Sequence, residues 1–394
     1  MKITIDEKTC TGCRACEQMC PVHAINMYEN NEGFIYPQIN QDICVGCGLC
    51  IKKCPSNTDV RSEGKLQQPL AYAARLKNRE MLLSSTSGGF FVALAEEILS
   101  SGGSVFGVTM DENYNVFHKS INTATELYML QGSKYVASDT NESYIRTQEM
   151  LIKGKRVLYS GLPCQIAGLK SFLQRDYPNL VTVDVVCHGV PSHKLFRTYV
   201  DSLRSGHGNM IKDYRFRDKS KYGWGVHWSY SKNGRRKYGG LYDDPYISVF
   251  IDAKANRESC YCCKYIGVDT RPGDFTLADY WGVERVHPGF ASRDGVSAII
   301  CHTEKAKMWC DKALQRCFHI ETDVESIKKY NPSLVRSAKR PEDRDSAYSG
   351  IDSMTPEEFV RCRMKRSPQK VLKTKIKLLM PYGVRAFVKR CTKH

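Results

Sequence analysis

From residue 84 onward, apolar positions alternate between helical and strand spacing. Ser84-Ser-Thr-Ser87-Gly88-Gly89 precedes Phe90-Phe-Val-Ala-Leu-Ala-Glu-Glu-Ile-Leu99, a glycine-rich turn opening a helix that should stop at Gly102-Gly103. Amides at such a helix start suit a phosphate, although many helices begin after Ser and Gly for capping alone. Ser104 to Met110 predicts a strand. Lys155 to Ser160 predicts another, followed by a turn at Gly161-Leu-Pro-Cys164 and a helix from Gln165 to Leu173. Leu180 to Cys187 is a further strand, His188-Gly-Val-Pro191 a turn, and Ser192 caps a helix to about Leu203. This β-α-β-α order predicts parallel strands. Cys164 and Cys187 would then lie just past two carboxyl strand ends, where open α/β sheets bind ligands. Phe216-Arg-Asp-Lys219 leads into Gly223-Trp-Gly-Val-His-Trp-Ser-Tyr230, and Asn233-Gly234 between alternating runs predicts a hairpin. Trp224, His227 and Trp228 either line a site or pack across strands, the second being the commoner use. Residues 331–370 read as polar and irregular.

Ahead of this core the pattern gives way to cysteines. Cys10-Thr-Gly-Cys13-Arg-Ala-Cys16-Glu-Gln-Met-Cys20-Pro21 and Cys44-Val-Gly-Cys47-Gly-Leu-Cys50-Ile-Lys-Lys-Cys54-Pro55 share the spacing C-x2-C-x2-C-x3-C-P. Three thiolates in a tight loop reach three corners of one cubane, and the fourth crosses to the other cluster. One 4Fe-4S cluster is therefore expected on Cys10, Cys13, Cys16 and Cys54, and a second on Cys44, Cys47, Cys50 and Cys20. Gly12 and Gly46 let the backbone approach the sulfurs, and Pro21 and Pro55 fix the turns. A pair of zinc sites competes with this reading, but structural zinc favours two separated cysteine pairs. Val22, Ile25, Phe34, Ile35, Ile39 and Ile43 are expected to form an apolar shell. Further along, Cys260-Tyr-Cys262-Cys263 contains a C-x2-C pair. With Cys164 and Cys187 it can hold a third cubane. Cys262 is an alternative ligand, and buried unligated thiols are the plainer reading. Cys301, Cys310, Cys317, Cys362 and Cys391 show no ligand spacing.

Composition narrows the class. A chain of 394 residues supports two or three compact domains, and it has no run of eighteen apolar residues. Met1 to Asp6 is polar and reads as mature protein, not a signal peptide. The 18 cysteines argue for metal in a reducing, anaerobic cytoplasm, because disulfide scaffolds are small and secreted. The net charge of +16 is uneven: residues 361–394 hold 12 Lys or Arg and no Asp or Glu, while residues 1–60 hold 5 basic and 7 acidic residues. The tail from Val371 to Arg390 is amphipathic, with Val371, Leu372, Ile376, Leu379, Val384, Phe387 and Val388 among Lys and Arg, and Pro381 breaking the helix. It suits either an anionic membrane surface or docking on the protein's own core. Nucleic acid is not expected, for want of aromatics interleaved on a basic strand face.

Residues from about 84 to 320 resemble the beta subunit of coenzyme F-420-reducing hydrogenase and its relatives. The resemblance lies in Ser87-Gly-Gly-Phe-Phe-Val-Ala-Leu94, Gln131-Gly-Ser-Lys-Tyr135, Gly161-Leu-Pro-Cys-Gln165, Val185-Val-Cys-His-Gly189, Cys260-Tyr-Cys-Cys-Lys-Tyr265 and Gly273-Asp-Phe-Thr-Leu-Ala-Asp-Tyr-Trp-Gly282, in shared order. Members with a fused ferredoxin domain look closest. The resemblance implies FAD in this core and a third 4Fe-4S cluster on Cys164, Cys187, Cys260 and Cys263. It also implies a flavin site that includes Ser87, Gly88, Gly89, Lys134, Tyr135, Thr276 and Asp279. Relatives take different substrates, some in surface-polysaccharide synthesis, so use of coenzyme F-420 itself stays open.

The expected fold is α/β, a mixed sheet core with flanking helices and a hairpin extension, plus a small α+β ferredoxin-like domain. Residues 1–60 would be the two-cluster domain, 61–83 a linker, 84–150 and 151–330 the two parts of the core, and 331–394 the basic tail. The expected function is an iron–sulfur flavoprotein oxidoreductase that passes electrons from three 4Fe-4S clusters through FAD to a small organic acceptor. Its donor would be a ferredoxin, a reduced deazaflavin or a nicotinamide. A non-enzymatic electron-transfer subunit is the alternative. The expected place is the cytoplasm, with peripheral contact at the inner membrane face through residues 371–390. His188, His193 and His227 are candidate proton donors.

Overall fold

The computed structural model describes residues 6–60, 62–204 and 210–391. Its strands, in chain order, are β1 (Ile25–Glu29), β2 (Ile35–Ile39), β3 (Lys65–Leu76), β4 (Ser104–Met110), β5 (Val116–Ile121), β6 (Val157–Gly161), β7 (Leu180–Val185), β8 (Ile211–Arg215), β9 (Trp228–Lys232), β10 (Arg235–Gly239), β11 (Phe275–Asp279), β12 (Ser297–Thr303) and β13 (Cys317–Thr322). Eight of them form the main sheet, in the order β13-β3-β12-β11-β7-β6-β4-β5. The centre is parallel: β4 with β6, β6 with β7, and β7 with β11. The wings are antiparallel. Val157, Leu158, Tyr159, Leu180, Val181 and Val183 are all buried, as strands covered on both faces require.

Helices Phe90–Ser100 and Glu304–Leu314 cover one face of the sheet, where Phe90, Leu94, Ile98, Trp309 and Ala313 close on Leu158, Val183, Phe275 and Ile299. Helix Pro163–Leu173 covers the other with Ile166 and Leu169 against Tyr144, Tyr159 and Leu180. A second core is rich in aromatics. Phe196, Tyr199, Tyr214, Phe216 and Tyr246 gather beneath a three-stranded sheet of β8, β9 and β10. The predicted hairpin is β9–β10, and both turn residues, Asn233 and Gly234, have positive φ (51° and 76°), the requirement of a two-residue turn with the strands' own twist.

The α/β class expected from the sequence holds, and particular segments differ. Residues 61–83, expected as a linker, contain β3, which lies between β12 and β13 in the main sheet, and the helix Arg79–Ser84. Gln67, Gln68 and Pro69 hide the strand pattern, and its buried residues are the small Ala71, Ala73 and Ala74 with Leu76 at its end. Residues 331–370 hold the helix Pro356–Arg363, announced by a capping box between Thr355 and Glu358. In the small domain Ile25 and Phe34 are buried, Val22 is partly exposed but lines a small cavity with Ile25, Ile39 and Cys20, Cys44, Cys47 and Cys50, and Ile43 is exposed and lies outside it. Cys301, Cys310 and Cys317 are buried in the main core and Cys362 is exposed; the side chain of Cys391 and residues 1–5 lie outside the described residues.

The N-terminal domain is held to the core by paired charges. Arg344, fully buried, places two nitrogens 2.8 and 2.7 Å from the carboxylate of Glu32. Arg14 grips both carboxylate oxygens of Asp139 (2.5 and 2.8 Å). Arg257 donates to the Ile35 carbonyl while lying over the rings of Phe34 and Tyr36. Such bidentate, planar contacts are what arginine supplies and lysine does not. The tail docks as well. Val371, Thr374 and Leu378 are half-buried on one side of helix Pro368–Leu379, and Thr374 and Leu378 close on Gly240. Lys370 pairs with Asp252 (2.8 Å), and Arg385 in helix Tyr382–Cys391 donates to the Tyr222 carbonyl (2.6 Å). No helix of the described residues is long and apolar enough to cross a membrane.

His118 on β5 is buried against Tyr159, with Nε2 3.2 Å from the Ser160 carbonyl oxygen. Burial holds its pKa down at about 4, against an ordinary 6.5. Below 6.5 the unfolded chain takes up a proton that the folded chain refuses, so stability falls as pH drops through this window, by up to ~3 kcal/mol. Urea melts at the two ends of the window should show a smaller pH dependence in His118→Gln than in wild type. Equal dependence would remove His118 from the acid response.

Candidate functional site

Sulfur gathers at two places in the N-terminal domain. Besides burial, the charges acting on Cys16 are those of Cys13, Cys10 and Cys54, and those acting on Cys50 are Cys47, Cys20 and Cys44. The fourth cysteine of each motif therefore sits with the opposite triplet, the crossing that the paired spacing predicts. Among the described residues no three Cys, His, Asp or Glu side chains converge tightly enough for a single metal ion.

A third gathering lies in the core. Cys164 sits in the first turn of helix Pro163–Leu173, which starts directly after β6. Cys187 follows the end of β7, and β6 and β7 pair in parallel, so both thiols share one sheet edge. A short 3-10 turn, Glu258–Cys260, brings in Cys260, with Cys263 one turn on. All four border a cavity of about 440 Å³. Apart from burial, the charges acting on Cys164 are Cys187, Cys263, Cys260 and then Cys13. Burial pushes the Cys187 thiol up to about 12 and the Cys260 thiol up to about 11. Thiols so placed ionise only with a compensating cation, and a cluster supplies one. The amide of Gly189 points at Cys187 Sγ (3.3 Å), and Arg271 lends Cys187 and Cys263 positive charge. Cys262 also borders this cavity but is exposed, its Sγ lying 3.7 Å from the Lys8 carbonyl. The donor set thus fits a cubane at this position.

Next to it lies a second cavity of about 490 Å³. Ser87, Gly89, Lys134, Tyr135 and Asp279 line it, and so do Phe90 and Phe91 at the start of their helix. Gly88 and Thr276 do not. Gly88 is pressed against β3 and β12, where a Cβ would collide with the Ala74 carbonyl. Thr276 Oγ1 donates to Asp184 (2.7 Å) inside the sheet, beside His302. Tyr135 stacks on Phe250 (4.2 Å between centroids, 10° between planes), and its hydroxyl accepts from Arg217 (3.0 Å). Arg217 also reaches both oxygens of Asp279 (2.9 and 3.2 Å) and lies over Trp281. Trp224 donates to Asp279 (2.7 Å) and stacks on Trp281. One wall is thus a fixed aromatic and ionic plate. Trp228, by contrast, packs, donating to Gly240.

Two lysines, Lys134 half-buried and Lys219 buried, brace the other wall. Lys134 donates to the carbonyls of Val108 and Gln131, both at 2.8 Å. Lys219 donates to Leu82, Ser87 and Asp294, at 2.6, 2.8 and 2.5 Å. Burial pushes both down to about 7. Lys219 therefore locks the glycine-rich turn from outside it. Of the candidate histidines, His188 lines both cavities and donates from Nε2 to the Ile251 carbonyl (2.9 Å). His193 lines the smaller one, its Nε2 lacking a partner among the described residues. His227 borders neither and contacts the Gly223 carbonyl.

Arg217, Lys219 and Phe250 were not singled out by sequence. Phe216-Arg-Asp-Lys219 stood out only as a charged stretch before a hairpin, and its burial could not be read from composition.

Comparison with known proteins follows this geometry. Residues 154–326 match the family of the coenzyme F-420 hydrogenase/dehydrogenase beta subunit, over that subunit's own C terminus. Residues 9–58 match the 4Fe-4S dicluster domain. Among solved structures, the F-420-reducing nickel–iron hydrogenase complex from Methanosarcina barkeri (a xenon derivative) is similar to 77% of this chain and 95% of its own, at 18% identity and a TM-score of 0.47. No curated protein matches.

Gly168 lies on the face of helix Pro163–Leu173 that meets the Cys13 loop. A Cβ there would stand 2.8 Å from the Tyr144 hydroxyl and 3.0 and 3.1 Å from Cys13 Cβ and Sγ. Glycine to alanine inside a helix ordinarily stabilises by up to ~1 kcal/mol. Here Gly168→Ala should instead destabilise by about 1–3 kcal/mol and shift the electron paramagnetic resonance of the cluster on Cys13. A more stable variant with an unchanged spectrum would show that the loop does not bear on this helix.

Proposed function

We propose, for a chain whose residues 154–326 match the coenzyme F-420 hydrogenase/dehydrogenase beta subunit family and whose residues 9–58 match a 4Fe-4S dicluster domain, an iron–sulfur flavoprotein oxidoreductase that delivers electrons to a small organic acceptor. Cys164, Cys187, Cys260 and Cys263 would hold a third 4Fe-4S cluster, and the larger cavity would hold FAD.

One observation carries this reading. Ser138, Leu162, Cys187, His188, Gly189 and Val190 line both cavities, so the two sites are separated by a single layer of side chains. A flavin, when bound, supplies the exchange between one-electron and two-electron chemistry. The rest is the work of the chain. Cys13 lies against Gly168, one helical turn from Cys164 on the same face, which brings the dicluster domain against the third site. Tyr135, Arg217, Asp279 and Trp281 give a planar ring a stiff polar and aromatic wall, and Gly89 with Phe90 and Phe91 presents a helix start suited to phosphate. Gln165 fixes the wall between the sites, donating to both the Ser138 carbonyl and its hydroxyl (3.0 and 2.9 Å). His188, facing both cavities, is the side chain placed to hold a proton near an acceptor. Surface-polysaccharide synthesis is the setting that the family resemblance favours for that acceptor.

Anaerobic purification should yield about twelve iron and one flavin per chain. Cys187→Ser should lower iron to about eight. Asp279→Ala strips Arg217 of its buried partner and should weaken flavin retention at least about tenfold while leaving iron at the wild-type value. About eight iron and no flavin in the wild type would sink the flavoprotein reading and leave an electron relay confined to the dicluster domain.

A further inference from the structure

The tail carries two apolar faces, and only one is used. On helix Pro368–Leu379 the inward residues are the half-buried Val371, Thr374 and Leu378, the last two resting near Gly240. Leu372, Ile376 and Leu379 recur at the same helical spacing on a different face and point to solvent, Leu372 at 60% and Leu379 at 85% exposure. After Pro381 the next helix continues the theme with Val384 and Phe387, the latter at 66%. A docked helix needs one apolar stripe, and the second covers nothing among the described residues.

Charge says what covers it. Lys373 and Lys375, both exposed or half-exposed, fall on either side of the Leu372–Ile376–Leu379 stripe. Residues 361–394 hold 12 Lys or Arg and no acidic residue. An apolar stripe between lysines, on a helix already anchored on its far side, suits an interface of hydrocarbon below and anionic groups above: the apolar residues enter the acyl boundary while the lysine stems reach the phosphates. A protein groove would call for acidic complements, and nucleic acid would leave the leucines in water.

We propose that residues 368–391 form a docking surface for an anionic lipid bilayer, on which the protein lies peripherally with Leu372, Ile376, Leu379 and Phe387 inserted. This goes beyond the redox reading and does not depend on it.

The test is co-sedimentation of the anaerobically purified full chain with phosphatidylcholine vesicles made with and without phosphatidylglycerol. Wild type should bind only the anionic vesicles, and less so at high salt. L372S/I376S/L379S should bind at least about tenfold more weakly, and K373Q/K375Q about fivefold more weakly per charge, both with wild-type iron content. The proposal is overturned by absent binding to anionic vesicles or by binding that the serine triple leaves unchanged. It is equally overturned if the triple converts a wild-type dimer to a monomer in sedimentation velocity. Tight RNA binding that needs the lysines but not the three apolar residues would also overturn it.

Discussion

A cation buried without a partner costs several kcal/mol, a large part of what a folded domain has to spare. This chain nonetheless buries Arg217, Lys219, Arg271 and Arg344. Each is paired with groups that come from elsewhere in the sequence, Arg271 through its Nη1 while its Nε has no hydrogen-bond partner among the described residues. Arg271 meets Asp184 at the end of β7, and Arg344 joins Glu32 to the Asn256 carbonyl. Arg217 meets Asp279 at the end of β11, and Lys219 collects carbonyls from residues 82, 87 and 294. The walls of both cavities combine strand ends and helix starts with loops, and loops carry polar backbone that apolar packing cannot satisfy. Buried cations aimed at carboxylates and carbonyls do that work here. The site is rigid where its surroundings are irregular, and the rigidity depends on these pairs all being made.

Legibility followed range. The paired cysteine motifs and the β6–β7 unit could be read because their chemistry lies in short spacings: a C-x2-C-x2-C turn, a strand that ends at a Gly-Leu-Pro-Cys turn. The hairpin at Asn233-Gly234 was equally local. β3 escaped because Gln67, Gln68 and Pro69 break its alternation and three of its buried side chains are alanines, so only its neighbours identify it as a strand. In the site, Ser87, Gly89, Lys134, Tyr135 and Asp279 came from motif resemblance and do line the larger cavity, whereas Gly88 and Thr276 serve the sheet behind it. Motif membership does not separate a residue that faces a cavity from one that holds the residue that does. Arg217 and Lys219 escaped because a buried charge is visible only through its partners, and theirs are 62 and 132 positions away at Asp279 and Ser87.

The tail shows how a question of alternatives can be wrongly posed. Amphipathicity suggested either docking on the core or an outside surface. Helical geometry allows both, since Thr374 and Leu378 take one face and Leu372, Ile376 and Leu379 another. The inner face rests by Gly240 and Tyr222, next to the loop that carries Lys219 and Trp224. A surface contact and the cavity wall therefore share a support.

The position of β3 has a bearing on biosynthesis. Its register sets Ala74 beside Ser297 on one side and His319 on the other, more than two hundred residues later in the chain. During translation the dicluster cysteines leave the ribosome early, and local loops suffice to collect iron and sulfide around them. β3 follows at once and must wait, with both its edges open, until β12 and β13 arrive. Closure of the main sheet therefore waits on strands made more than two hundred residues after β3, whereas the paired cysteine motifs are complete by Cys54.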